Sequence, residues 1–393
     1  MPLDVAAVQA ALREEGLDGW LLYDFRNANP IAARLAGLAG SGVMATRRWY
    51  YLIPRDGSPK KLVHAIERHN LDALPGETTV YAGRAALDAG LTALLDGHRR
   101  VAMEYSPECA IPYLSRVDAG TLEQIRKRGV DVVSSGDLVQ RFEAVWDEAA
   151  LASHREASAR LYRIKDRAFE WVRGALAAGR AITELDVQQE MQRAFEAEGL
   201  VSDSLPVVAA QENAGNPHYL PTRESHRPIG RDEVLLLDLW GKLRTPGAVY
   251  ADITWMGFTG QTVPDRVQRA WTAAATARDA AIACVREGIR AGRDVRGWQV
   301  DRAARQVLID AGFGDHILHR TGHSLGEEVH GNGVHMDDYE THDDRRLIPG
   351  TGFTIEPGVY FEDFGIRTEV NVTVGHDDAT VTGESQTAIV TLA

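Results

Sequence analysis

Residues 172–180, VRGALAAGR, reappear in altered form as VREGIRAGR at 285–293. An offset of 113 runs ungapped to Leu200 and Phe313, and seven of the 29 pairs are identical: Val172/Val285, Arg173/Arg286, Ala178/Ala291, Gly179/Gly292, Arg180/Arg293, Val187/Val300 and Gly199/Gly312. Ile182/Val295, Leu185/Trp298 and Phe195/Leu308 stay apolar, so the same helical face is kept. Duplication of a helix–helix–strands unit predicts pseudo-two-fold symmetry, with a site where two related sheets meet. The helices around the repeat fit this. One helical composition covers roughly 147–178, and a capping-box-like start at Thr183-x-x-Asp186 opens another that stops at Gly199. Two more are expected at about 264–290 and 294–311.

The first third reads differently. WLLYDF (20–25), RWYYLI (48–53), KLVHAI (61–66), RVAMEY (100–105) and VDVVSS (130–135) have strand composition. Arg55-Asp56-Gly57-Ser58-Pro59 joins two of them as a hairpin turn, and helical patterns fit near 5–15, 85–96 and 113–128. The expectation is an α/β domain over 1–143 and a second domain over 144–393.

A formal charge of −13 argues against a nucleic-acid footprint. No apolar run approaches a membrane span. The N-terminus has early acidic residues and no basic-then-apolar pattern, so no signal peptide is expected. Two cysteines, Cys109 and Cys284, cannot build a disulfide framework or a cysteine-rich zinc site. A reducing, cytoplasmic location suits them. Any metal site must use histidine and carboxylates.

Asp238 closes the apolar run Val234-Leu235-Leu236-Leu237, which reads as a buried strand. In Val249-Tyr250-Ala251-Asp252-Ile253-Thr254-Trp255 alternation puts Tyr250, Asp252 and Thr254 on one face. Gly241, Pro246 and Gly247 between the two segments suggest a hairpin that sets the carboxylates side by side. His323 lies in Thr321-Gly322-His323-Ser324-Leu325-Gly326, where glycines allow close backbone approach, and His330 follows seven residues later. Glu356 ends an alternating strand at a Pro-Gly turn. Alternation through Gly365–Thr373 places Arg367, Glu369, Asn371 and Thr373 together. Read singly, each of these has an ordinary structural explanation. Together, four carboxylates and one imidazole suit two divalent ions, whose four positive charges match four negative ones. Without a cation, burying that set would cost many kcal/mol or force protonation.

LLLDLWG, YADITW, TGHSLGEEVH, FTIEPGVY and GIRTEVNV, in this order across about residues 206–374, resemble the pita-bread metallopeptidases. That family includes Xaa-Pro dipeptidase (prolidase), aminopeptidase P and methionine aminopeptidase. The N-terminal α/β domain is similar to the creatinase-type domain of the first two. The resemblance implies an α/β (α+β) architecture with a curved antiparallel sheet in the second domain, two divalent ions (manganese, cobalt or zinc) and a homodimer. It implies that Asp238 chelates one ion, Asp252 and Glu369 bridge, His323 binds the second, and Glu356 is both ligand and general base. His218, in Asn216-Pro217-His218-Tyr219, and His330 would steady the scissile carbonyl, with Arg367 and Thr254 supporting the ligands. Three departures stand out: a 14-residue step from Asp238 to Asp252, Trp255 where arginine commonly follows, and Gly331-Asn332-Gly333 where an acidic residue is common.

The expected reaction is cleavage before the C-terminal proline of short proline-containing peptides. His342, Arg345 and Arg346 are candidates to hold the proline carboxylate, with an exposed charged loop as the other reading of that stretch. Aminopeptidase P activity is the near alternative, and a non-catalytic binding protein or creatinase-like amidinohydrolase the distant ones.

Overall fold

The computed structural model describes residues 3–393. The chain divides into two compact units, Met1–Glu143 and Ala144–Ala393.

The first unit contains, in order, α1 (Val5–Glu14), β1 (Gly19–Asp24), α2 (Pro30–Leu35), β2 (Trp49–Pro54), β3 (Lys60–His64), β4 (Glu77–Tyr81), α3 (Arg84–Leu95), β5 (Arg100–Met103), α4 (Ala119–Arg126), β6 (Asp131–Ser134) and α5 (Gly136–Glu143). One six-stranded sheet has the order β4-β3-β2-β1-β5-β6. Both its faces are covered: Trp20 and Leu22 pack into one core, Leu21 and Tyr23 into the other. This double burial explains why β1 and β2 are apolar without a break. Three elements escape the sequence reading: β4, α2 and α5. Only Tyr81 of β4 is buried, so β4 lacks an apolar signature. The six-residue α2 rests on local chemistry: Asn29 accepts from the Ala32 N–H, and Pro30 opens the first turn. The helix expected from 113 begins only at Ala119, where the Asp118 side chain accepts from the Thr121 N–H at 2.9 Å.

The second unit runs α6 (Glu148–Ala177), α7 (Glu184–Glu198), β7 (Leu200–Val201), β8 (Val207–Ala210), β9 (Val234–Leu243), β10 (Ala251–Phe258), α8 (Asp265–Arg290), α9 (Gly297–Asp310), β11 (Gly352–Ile355), β12 (Gly358–Tyr360), β13 (Gly365–Arg367), β14 (Val370–Val374), β15 (Ala379–Thr382) and β16 (Val390–Thr391). The repeat is structural. Val172 and Val285 are fully buried at matching points of α6 and α8, as are Val187 and Val300 in α7 and α9. Gly179 and Gly292, and Gly199 and Gly312, all have positive φ, ending the four helices in the left-handed conformation that glycine adopts freely.

β9 and β10 form an antiparallel hairpin and divide the apolar residues by parity. Leu235, Leu237, Leu239, Ile253 and Trp255 pack under α6 and α7. Val234, Leu236, Met256 and Phe258 pack with α8, α9 and the sheet β11-β14-β15. Asp238, Asp252 and Thr254 share the second face. Asn371 of β14 joins the two sheets: its Oδ1 accepts from the Asp252 N–H at 3.0 Å, and its Nδ2 donates to the Asp252 carbonyl at 2.5 Å.

Candidate metal centre

The hairpin register fixes the first two carboxylates. β9 continues past Asp238 to Leu243, so Asp238 sits mid-strand, directly opposite Thr254, while Asp252 pairs with Trp240. The acids are therefore diagonal neighbours on one face, about 7–8 Å apart at the backbone and within side-chain reach. Their face is buried, with Asp238 8% and Asp252 5% exposed.

His323 arrives on an irregular segment beside β11. Its N–H donates to Thr354 Oγ1 at 3.0 Å, and the Thr354 N–H returns a bond to the His323 carbonyl at 2.8 Å. Gly322 permits this approach, since a Cβ there would stand 2.0 Å from the Thr354 carbonyl oxygen. The His323 Nδ1 lies 3.2 Å from the Ser324 carbonyl. A carbonyl only accepts, so Nδ1 carries the proton and the Nε2 lone pair faces the acids. Nε2 is 3.4 Å from Glu356 Oε1 and 3.6 Å from Asp252 Oδ2.

Glu369 accepts from Thr254 Oγ1 at 2.8 Å. Thr254 Oγ1 in turn accepts from Arg367 Nε at 3.1 Å. Arg367 also donates to Asp238 Oδ2, and to the Tyr360 hydroxyl at 3.2 Å. The Tyr360 hydroxyl is 2.6 Å from His319 Nε2, and His319 Nδ1 is 2.6 Å from the Arg320 carbonyl. By the same logic as for His323, this chain orders donors from Arg367 through Tyr360 to His319. Tyr360 lies in a motif the sequence reading quoted, but neither it nor His319 was foreseen as part of the site. Their role depends on contacts 41 residues apart.

The electrostatics are those of an acid cluster short of positive charge. Burial drives Asp252 well above the usual carboxylate range, and Asp238 and Glu356 push it further. Glu369 is raised well above its ordinary value by burial, then by Asp252, Glu356 and Asp238, against the pull of Arg367. Asp238 is raised by burial despite Arg367. For Glu356 burial is outweighed by His323, His319 and Arg367, which hold it below its usual value. Donor atoms of Asp252, His323 and Glu369 lie within 4.8 Å of one another, a grouping that could hold a metal ion. Asp252 Oδ1 is buried with no hydrogen-bond partner. An unpartnered buried carboxylate oxygen on a residue of such a group fits a cation as its missing partner.

The other expected residues fall into two sets. His330 lies against His323, ring centroids 4.3 Å apart and edge to face. It retains exposed surface, yet burial, His323 and Arg320 push it down to about 4, so its ring is neutral at pH 7. His218 is exposed on the segment after β8, and its N–H donates to Asn216 Oδ1 at 3.1 Å. The stretch around His342, Arg345 and Arg346 alternates exposed and buried residues. Arg345 is 3% exposed and paired with the fully buried Asp343 at 2.6 Å. Its remaining donors reach the Asn332 carbonyl at 2.8 Å and the Gly333 carbonyl at 2.7 Å. His342 is exposed, pairs with Asp338 at 2.6 Å and stacks on Trp298. Arg346 is half-buried, its backbone bridged to Arg296.

Residues 152–376 match the model of metallopeptidase family M24. The chain belongs to metallopeptidase family M24. Among similar proteins, "Probable dipeptidase PepE" of Mycobacterium tuberculosis is 32% identical over 252 residues, 64% of this chain and 61% of its own length. A Xaa-Pro dipeptidase of Lactobacillus delbrueckii subsp. lactis is 27% identical over 235 residues, 59% of this chain and 58% of its own. The matches thus span about three-fifths of these curated relatives. The crystal structure of dipeptidase PepE from Mycobacterium ulcerans superposes with a TM-score of 0.70 at 23% identity, covering 99% of this chain and 96% of that one. The prolidase of Pyrococcus horikoshii OT3 gives 0.60 at 17% identity, covering 98% and 99%. These likenesses establish the mixed α/β pita-bread fold expected from the motifs. No helix among the described residues is long and apolar enough to cross a membrane.

Proposed function

We propose that this M24 protein is a dinuclear-metal Xaa-Pro dipeptidase whose catalytic unit is residues 144–393, preceded by a creatinase-like domain over 1–143. The observation that carries the reading is the buried grouping of Asp252, His323 and Glu369 donor atoms, with Asp238 and Glu356 beside them. Two divalent ions (manganese, cobalt or zinc) would be held by Asp238, Asp252, His323, Glu356 and Glu369. Bound there, the ions supply Lewis-acid chemistry: an activated water, and positive charge where the oxyanion develops. The chain's own groups do the rest. Glu356, held ionised, accepts the proton from the attacking water and returns it to the leaving nitrogen. His330, held neutral, donates a hydrogen bond to the developing oxyanion without adding charge, and His218 contributes from its own segment. Arg367 and Thr254 orient Asp238 and Glu369 from behind. The relatives named as dipeptidases support short peptides, including proline-containing ones, as substrates. A cytoplasmic homodimer completes the reading.

The enclosure of Arg345 favours keeping a second reading, aminopeptidase P activity, which needs no cation for a C-terminal carboxylate. The test strips the metal and restores each ion singly. Ala-Pro, Ala-Pro-Ala and Ala-Ala are then assayed. Cleavage of Ala-Pro alone supports the dipeptidase, cleavage of Ala-Pro-Ala alone supports the second reading, and metal-independent cleavage removes both.

A further inference from the structure

The segment that carries His218 is fastened at both ends to one buried carboxylate, and we propose that Glu184 is a positioning residue that sets His218 for the reaction. The inference rests on the reading of His218 as a substrate-facing group.

Glu184 opens α7, where the helix dipole favours an acid, and it is fully buried. Its Oε1 accepts from the Ala210 N–H at 2.7 Å, at the start of the segment. Its Oε2 accepts from the Arg227 N–H at 2.9 Å, at the far end. Between them Asn213 Nδ2 donates to both oxygens at 3.0 Å, and the Tyr219 hydroxyl donates to Oε2 at 2.5 Å. A buried acid must find donors somewhere. Here every one belongs to residues 210–227, and one of them, Tyr219, is the immediate neighbour of His218.

The base of the segment is pressed against the strands that flank Glu356 and Arg367. A Cβ on Gly215 would stand 2.2 Å from the Phe361 carbonyl oxygen, and one on Gly365 1.9 Å from the Ala214 carbonyl oxygen. The segment therefore has a fixed footing beside the metal centre, and Glu184 fixes its return. Every partner of Glu184 is a donor, so a glutamine would present its own donor to one group of them whichever way it turned. Glu184→Gln thus releases one end of the segment while keeping the side chain's shape.

The experiment is a double-mutant cycle on the full chain reconstituted with metal, using Ala-Pro and Ala-Pro-Ala as probes. Glu184→Gln should lower kcat roughly 10- to 100-fold, as expected for a displaced catalytic group. KM and metal content should stay near the wild-type values. In a His218→Ala background the same substitution should cost nothing further, because the group it positions is gone. Tyr219→Phe should show the same non-additivity with a smaller loss, and it decides the matter if Glu184→Gln does not fold. Losses that multiply in the double variant, or that follow metal content, overturn the inference and leave the reading of His218 standing. Wild-type turnover by His218→Ala removes that reading itself.

Discussion

Arg345→Ala separates a structural cation from a substrate-binding one. The guanidinium is enclosed, holds the fully buried Asp343, and closes the carbonyls of Asn332 and Gly333 just beyond His330. Asp343 also accepts from the His335 N–H at 2.8 Å, so the pair fastens the loop on two sides. Removing the cation leaves the buried Asp343 carboxylate with backbone N–H donors but no opposite charge, and takes one donor from each of two carbonyls. Breaking a buried pair in this way costs about 3–5 kcal/mol. For a unit of about 250 residues each kcal/mol moves Tm by about 2–4 °C, so a fall of about 6–20 °C is expected. Differential scanning calorimetry on the metal-loaded protein measures it. Turnover should fall with the loop, while the ratio of KM values for Ala-Pro and Ala-Pro-Ala stays as in wild type. An unchanged Tm together with a KM rise confined to Ala-Pro would falsify this account and make Arg345 the carboxylate anchor.

Three further outcomes are expected. Glu369→Ala should lose bound metal by elemental analysis and lose hydrolysis; a variant that keeps two ions and full activity removes Glu369 from the ligand set. His330→Ala should keep its metal and lose turnover, since the ring packs edge to face on His323 but is not among the grouped donor atoms of Asp252, His323 and Glu369; metal loss would make His330 a ligand. In the N-terminal unit, burial raises Glu104 to about 7 against the hydrogen bonds from Trp20, Asn29 and Ser135. The folded state then binds the proton more tightly than the unfolded chain. Stability should therefore decline as pH climbs from the ordinary glutamate value of 4.5 to about 7, by about 3 kcal/mol. Glu104→Gln should remove that window, read by urea denaturation with hydrogen exchange on β1 and β5. A gap between the two proteins that stays constant from about pH 4 to 8 contradicts the assignment.

What the sequence made legible follows the range of the forces involved. The helices of the second unit could be bounded because capping and termination are local: Thr183 and Asp186 form a reciprocal capping box, and Gly199 ends α7. The five proposed ligands could be picked out because strand alternation and family spacing are also written along the chain. The diagonal placement of Asp238 and Asp252 was not legible, because it depends on where β9 ends. Nor was the fate of Arg345, since a charged run such as THDDRRL looks the same whether its arginine meets solvent or a buried aspartate. Glu184, Asp301 and Tyr360 were missed for the same reason. Asp301 accepts from the Thr321 N–H and hydroxyl at 3.0 and 2.7 Å, a contact across 20 residues that no local pattern announces.

The parity of the β9–β10 hairpin has a consequence for how the protein matures. Asp238, Asp252 and Thr254 share one face, and the intervening leucines, Ile253 and Trp255 share the other. A strand paired one residue out would exchange these sets, turning its carboxylate toward α6 and α7. Such a chain could keep most of its apolar contacts yet offer no site for an ion. On the proposed ligand set, metal uptake would then act as proofreading: the ion stabilises only correctly paired molecules, and its capture ratio counts the mispaired ones.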